Sequence, residues 1–324
     1  MEQFFALAID NVTSPMVLFF ALGVAASILR SDLEIPQAAA KFLAIYLMLA
    51  IGFKGGAAVA ANGFEFRLAS TLLAGAALSL LLPVVAFFIL RRTSTLPAVD
   101  AAAISAHYGS ISIVTLASAI QALAQVGLDY EGYIVAVAAV MEFPAIVSGL
   151  WLAHRYSDTG SKSYEGLFRH VLLNGSIVVL VGAFIIGWIS GEDGLTDLAP
   201  LIVDPFKGIL CLFLLDMGLI AGRGFRDQVS TLGLSEIAFG LLMPIVSGIL
   251  AAGVAVLLDL SVGGTALFIT MSASASYIAV PAAMRLALPQ AKPSNYLTMS
   301  LGLTFPFNLT IGIPIYIAMA QMVA

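Results

Sequence analysis

A single cysteine and three histidines deny this 324-residue chain a disulfide framework or a thiolate metal site. Cys211 lies inside an apolar run and says nothing about redox compartment. Charge is as scarce: 10% of residues are Asp, Glu, Lys or Arg, against roughly 25% in soluble domains. An ordinary soluble domain and a basic nucleic-acid surface are both excluded by that scarcity. No second His or Cys stands at ligand spacing, so metal catalysis is not expected. Neither G-x-x-x-x-G-K-[ST] nor G-x-S-x-G occurs, and Lys54-Gly55-Gly56 lacks the flanking glycine and hydroxyl of a phosphate loop. Pro-rich tracts, charge blocks and low-complexity segments are also missing, so no built-in cytosolic regulatory module is expected.

Apolar residues fill the space that charge leaves. They make up 60% of the chain, with a mean hydropathy of +1.03. A membrane-crossing helix needs about 20 such residues. Ten runs qualify, near 15–30, 36–61, 67–90, 100–125, 132–154, 169–190, 198–221, 232–258, 263–286 and 294–322. The residues ahead of the first run carry Glu2 and Asp10 and no basic group, so that run reads as a span rather than a signal peptide. Orientation follows Lys and Arg in the short loops. With the N-terminus outside, ten of them face the cytoplasm: Arg30, Arg91, Arg92, Arg155, Lys162, Arg169, Arg223, Arg226, Arg285 and Lys292. Only Lys54 and Arg67 fall outside, so both termini are expected to face out.

The runs fall into two sets of five with landmarks at a fixed offset. Lys41 and Gly52 correspond to Lys207 and Gly218 (207 − 41 = 166; 218 − 52 = 166), and Glu142 to Asn308 (308 − 142 = 166). Units of five spans, an odd number, cross the membrane in opposite senses, which places a site at their interface near the midplane. The expected fold is an all-α integral membrane protein of ten transmembrane helices, arranged as two inverted five-helix repeats with two broken helices. The first repeat covers 1–156, a polar cytoplasmic linker 157–166 and the second repeat 167–324.

Two runs carry small hydroxylic clusters that a lipid-facing helix does not need. His107-Tyr108-Gly109-Ser110-Ile111-Ser112 interrupts the fourth run, and Ser272-Ala273-Ser274-Ala275-Ser276-Tyr277 the ninth, followed by Pro281. Gly109 and Ser110 map onto Ala275 and Ser276 at the same offset of 166. The two clusters are therefore expected to cross or face each other. Helix breaks there would offer free N–H groups and positive dipole ends to an anion, with Ser110, Ser112, Ser274 and Ser276 adding hydroxyls. Close helix packing uses the same small residues and is the competing reading. Glu142, before Pro144, is an intramembrane carboxylate, which marks an ion ligand, Na+ or a proton, or a satisfied interhelix bond. Asn308 offers a neutral oxygen at the corresponding place. Asp216 is a second ion ligand, a proton carrier or a partner of a basic residue on another helix. His107 is a packing residue or a pH sensor, and with a nearby serine it leaves an intramembrane hydrolase open.

In order and spacing these residues resemble the sodium-dependent bicarbonate transporters of bacteria and cyanobacteria over nearly the whole chain. The resemblance rests on Glu34-Ile35-Pro36, Ile51-Gly52-Phe53-Lys54-Gly55-Gly56, Asp100-Ala101, Tyr108-Gly109, Thr115 and Met141-Glu142-Phe143-Pro144-Ala145. It continues through Met217-Gly218, Pro281, Arg285 and Lys292-Pro293-Ser294-Asn295-Tyr296. It implies a core domain and a gate domain each drawn from both repeats, alternating access and a homotrimer. Gly109, Ser110, Ile111 and Ser112 would form one half of an anion cradle, and Ser274, Ala275, Ser276 and Tyr277 the other. Glu142 would bind Na+, with Asn308, Asp216 and Thr115 completing the ion-coupling set. A PII-type regulator partners members that carry a large cytosolic insertion, which this chain lacks. Tyr277 replaces an acidic residue of the family, Ala279 a serine, and Ile113 and Val114 a glycine and a serine. These departures leave the anion, the ion stoichiometry and a proton-coupled carrier of another organic anion open.

Overall fold

In hydrocarbon only a helix satisfies every backbone N–H and C=O within one segment, and the apolar runs of this chain fold accordingly. The structure, a computed structural model, describes residues 13–62, 66–156, 175–227, 232–277 and 279–324, among which there is no strand. The expected linker at 157–166 and the start of the sixth run lie outside these residues. In chain order the helices are α1 (Pro15–Ile28), α2 (Gln37–Asn62), α3 (Phe66–Thr93), α4 (Ala98–His107), α5 (Ile113–Gln125) and α6 (Ile134–Tyr156). Then come α7 (Gly175–Asp197), a one-turn α8 (Ala199–Ile202), α9 (Phe206–Asp227), α10 (Leu234–Leu257), α11 (Val262–Ser272) and α12 (Ala279–Ala287). The chain closes with α13 (Pro293–Val323), which widens to π-helix at Thr298–Thr304 and Asn308–Gly312. Among the described residues seven helical stretches are long and apolar enough to cross a membrane, so this is a multi-pass membrane protein. The other three expected spans fall short as single helices: α1 has 14 residues, and the runs at 100–125 and 263–286 each break into two halves.

Where lipid removes the hydrophobic drive between helices, close approach over small residues takes its place. Gly52 and Gly56 of α2 lie against the carbonyls of Leu180 and Phe184 in α7, and Gly187 of α7 against that of Phe53. Gly218 and Gly222 of α9 meet α1 in the same way, at the carbonyls of Phe20 and Val24. A Cβ on Gly218 would also come within 3.0 Å of the Gly23 Cα, so this seam is backbone against backbone. Two helices of the first half, α1 and α2, thus find their tightest neighbours in the second.

The C-terminus of α1 is closed by a Schellman turn, with Ser31 N–H donating to Ala26 O and Arg30 N–H to Ser27 O. Arg30 takes the left-handed conformation there, at φ 58°, where glycine is the usual occupant and a side chain costs roughly 1 kcal/mol.

A second group of helices is tied together by polar bonds. Ser79 of α3 donates to the Met141 carbonyl of α6 at 2.5 Å, close to where Pro144 interrupts the ladder, and Ser148 of α6 donates to Leu80 O at 2.9 Å. Asp100, buried in the first turn of α4, accepts from Lys292 N–H at 2.7 Å and from Asn295 Nδ2 at 3.4 Å, and so caps α13 from a neighbouring element. Thr304 of α13 donates to Gly240 O of α10 at 2.6 Å and meets the Tyr108 hydroxyl at 2.7 Å. These bonds hold α3, α4, α6, α10 and α13 around the two broken runs.

Candidate functional site

Both breaks fall within the small hydroxylic clusters. The α4 helix stops at His107 and α5 begins at Ile113, while α11 stops at Ser272 and α12 begins at Ala279. Gly109 is needed at the first break because a Cβ there would run into the Pro83 ring and come within 2.7 Å of Ser79 O. The proline in α3 and the glycine in the break are shaped to one another.

The two breaks cross and are bonded together. Ser276 N–H donates to His107 O at 2.9 Å, and Ser112 N–H donates to the Ser274 hydroxyl at 2.9 Å. Ser274 in turn donates to Met271 O at 2.7 Å. Ser112 caps α5 by accepting from Thr115 N–H at 3.2 Å and from the Thr115 hydroxyl at 2.9 Å. Ser276 takes the corresponding place before α12, with Val280 N–H at 3.4 Å from its oxygen. The N-termini of α5 and α12 therefore both lie at the crossing, each carrying roughly half a positive charge from its aligned peptide dipoles.

Of the eight residues expected to cradle an anion, all are buried among these bonds except Gly109, which sits against Pro83. Their hydroxyls are more occupied than the pattern of serines suggested. Ser112 and Ser276 act as helix caps, Ser274 is the crosslink, and Ser110 donates to Glu142 Oε2 at 2.6 Å. Ile111 and Ala275 are core residues at the crossing. Tyr277 is different: its hydroxyl is buried near Ser112, without a completed hydrogen bond, and its ring packs edge-on against Phe305 at 5.1 Å. Ser272 Oγ and His107 Nε2 are also buried without a partner. Buried polar atoms in native proteins are nearly always satisfied, and these three are left open at the two breaks.

Glu142 and Asn308 flank the crossing on opposite helices. Glu142, 8% exposed, reaches the first break through Ser110. Asn308 reaches the second, donating from Nδ2 to Ala273 O at 2.9 Å while its Oδ1 accepts from the Tyr316 hydroxyl at 2.6 Å. Tyr316 and Thr304 belong to this cluster and were not singled out by sequence; two buried hydroxyls on the face of α13 that carries Asn308 were the available signal. Asp216 is buried on α9, no hydrogen bond brings it to the crossing, and Arg223 of its own helix is the charge acting on it. His107 donates from Nδ1 to Ala103 O at 2.7 Å and stacks on Tyr296 at 4.7 Å. Nδ1 is taken by Ala103 O and Nε2 has no hydrogen-bond partner among the described residues, so His107 is bonded to no serine here. No group of three or more His, Cys, Asp or Glu gathers for a metal ion among the described residues.

Removing the crosslink gives a direct measure of its worth. Ser274→Ala leaves Ser112 N–H buried and unsatisfied, which costs about 1–3 kcal/mol. Thermal unfolding of the purified variant in detergent should show that loss, and unchanged stability would mean the two breaks are not held by this bond.

The chain matches the sequence pattern of the Na+-dependent bicarbonate transporter superfamily over residues 15–321. No curated protein matched it. The match runs from the first residue of α1 to within two residues of the end of α13 and takes in both breaks, and the chain belongs to the Na+-dependent bicarbonate transporter superfamily.

Proposed function

We propose that this protein is a secondary transporter that imports a small anion, bicarbonate first among them, together with Na+ by alternating access. One observation carries the reading: two interrupted helices cross, bonded to each other, with both half-helix N-termini and unpartnered buried polar atoms at the crossing. A planar oxyanion suits that place because it can take hydrogen bonds from backbone amides and the Tyr277 hydroxyl while the helix ends balance its charge without a cationic side chain. Glu142, held by Ser110, supplies the negative oxygen for Na+ beside the first break. Anion and cation side by side present a smaller net charge to the membrane interior than either alone.

Two inverted repeats of five spans account for the helix pattern. The starts of α2, α3, α4 and α5 recur at α9, α10, α11 and α12 with offsets of 169, 168, 164 and 166 (206 − 37, 234 − 66, 262 − 98, 279 − 113). The glycine-seamed pairs α1–α9 and α2–α7 would form the gate, and the polar-bonded group around the crossing the core. Both termini face outward from a bacterial plasma membrane, and the assembly is a homotrimer.

Uptake of labelled bicarbonate into proteoliposomes tests this reading. Uptake should collapse when the inward sodium gradient is replaced by choline. Undiminished uptake in choline, or uptake driven by a pH step at zero sodium, would replace Na+ by the proton as coupling ion.

A further inference from the structure

A second polar site lies away from the crossing, where α1 and α9 end side by side. A cavity of about 500 Å3 opens there, lined by Ser27, Arg30 and Ser31 from the end of α1 and by Arg223 and Arg226 from the last turns of α9. Three guanidinium groups thus converge on one concave surface. Arg226 is partly engaged, donating to Ser27 O at 3.1 Å. Among the described residues Arg30 and Arg223 make no ion pair, and Asp32 and Glu34 in the loop after α1 make none either. Asp216, buried in the body of α9, is a carboxylate whose charge is coupled to Arg223.

Two further observations mark this as more than the positive charge that cytoplasmic loops carry for orientation. Ser27 is 6% exposed, lines the cavity and has a hydroxyl with no hydrogen-bond partner. Arg30 occupies the left-handed position of the Schellman turn, where glycine would fit without strain. An arginine kept at a glycine position carries its guanidinium into the cavity against the preference of the backbone.

We infer that this cavity is a binding site for a phosphate-bearing anion at the cytoplasmic end of α1 and α9. Arginine forks match phosphate oxygens in pairs, and a buried serine hydroxyl adds a short donor. The volume exceeds that of a lone phosphate and accommodates a phosphodiester headgroup or a nucleotide. The site is separate from the proposed anion path and is tested by binding, so its failure leaves the transport reading intact.

The test is isothermal titration of the full chain, purified in detergent, with ADP, with dioctanoyl phosphatidylglycerol and with dioctanoyl phosphatidylcholine as the zwitterionic control. At least one of the first two should bind saturably, more weakly as salt rises. ADP binding identifies a soluble ligand, and binding of phosphatidylglycerol alone a lipid headgroup. Affinity should fall at least tenfold in Arg30→Gly and in Arg223→Gln. Arg30→Gly should melt no lower than the parent protein, because it relaxes the turn as it removes the charge. No saturable binding of either phosphate probe, equal binding of the zwitterionic control, or unchanged affinity in both variants would overturn the assignment.

Discussion

A Glu142→Gln variant will need about 10- to 100-fold more sodium for half-maximal anion uptake, the equivalent of losing one charge-assisted contact of about 1.5–3 kcal/mol. The substitution is chosen to leave the packing alone. Glutamine has the same shape and its amide oxygen can still accept from Ser110, so the bond that ties α6 to the first break survives. What disappears is the negative oxygen beside the crossing. The dependence of uptake on sodium at fixed anion concentration should therefore shift while the protein remains folded and still binds anion at saturating sodium. If the sodium curve does not move, the cation is held elsewhere and Glu142 serves only to orient Ser110.

The second large effect is on stability. Gly218→Ala should lower the free energy of unfolding by about 1–3 kcal/mol, the usual cost of forcing extra volume into a packed contact. The added methyl would meet the Phe20 carbonyl and approach the Gly23 Cα, and backbone atoms of a neighbouring helix have nowhere to retreat except by separating the helices. Gly253→Ala in α10 is the matching control, since nothing lies within 4 Å of its Cβ position. There alanine should be neutral or stabilising by up to about 1 kcal/mol, as helix propensity alone dictates. Unfolding of both variants in mixed detergent–denaturant solution measures the difference. Equal stabilities would show that the α1–α9 seam is looser than the contacts imply.

Much of this architecture is legible in the amino-acid sequence. Gly109 and Ser276 stood out because a small, hydroxylic cluster in an apolar run has no use on a lipid-facing helix, and the chain does break at both. Gly52 and Gly218 were legible as landmarks but their purpose was not. A glycine's value there lies in which backbone passes it, and the partners, Leu180 and Phe20, sit more than a hundred residues away in sequence. The occupation of the serines was hidden for a similar reason. Composition says that Ser112 and Ser274 can bind a ligand or a backbone group, but only the crossing shows that the Ser274 hydroxyl already serves the other break and that of Ser112 its own helix. Asp216 was grouped with the ion ligands because it is an acid in a membrane run; its depth and neighbours depend on the packing of α9 on α1, which hydropathy does not encode. Asp100, which the resemblance noted without a role, proves to reach from one element to cap another.

The two bonds that join the breaks set what can move. Pulling the fourth and ninth runs apart would strand a buried amide on each side, at about 1–3 kcal/mol apiece. Across the α1–α9 seam the donor is a guanidinium at the helix ends, Arg226 to Ser27 O at 3.1 Å. A ligand seated at the crossing would therefore meet both runs as one unit, as in a cabin whose two walls are bolted to one another.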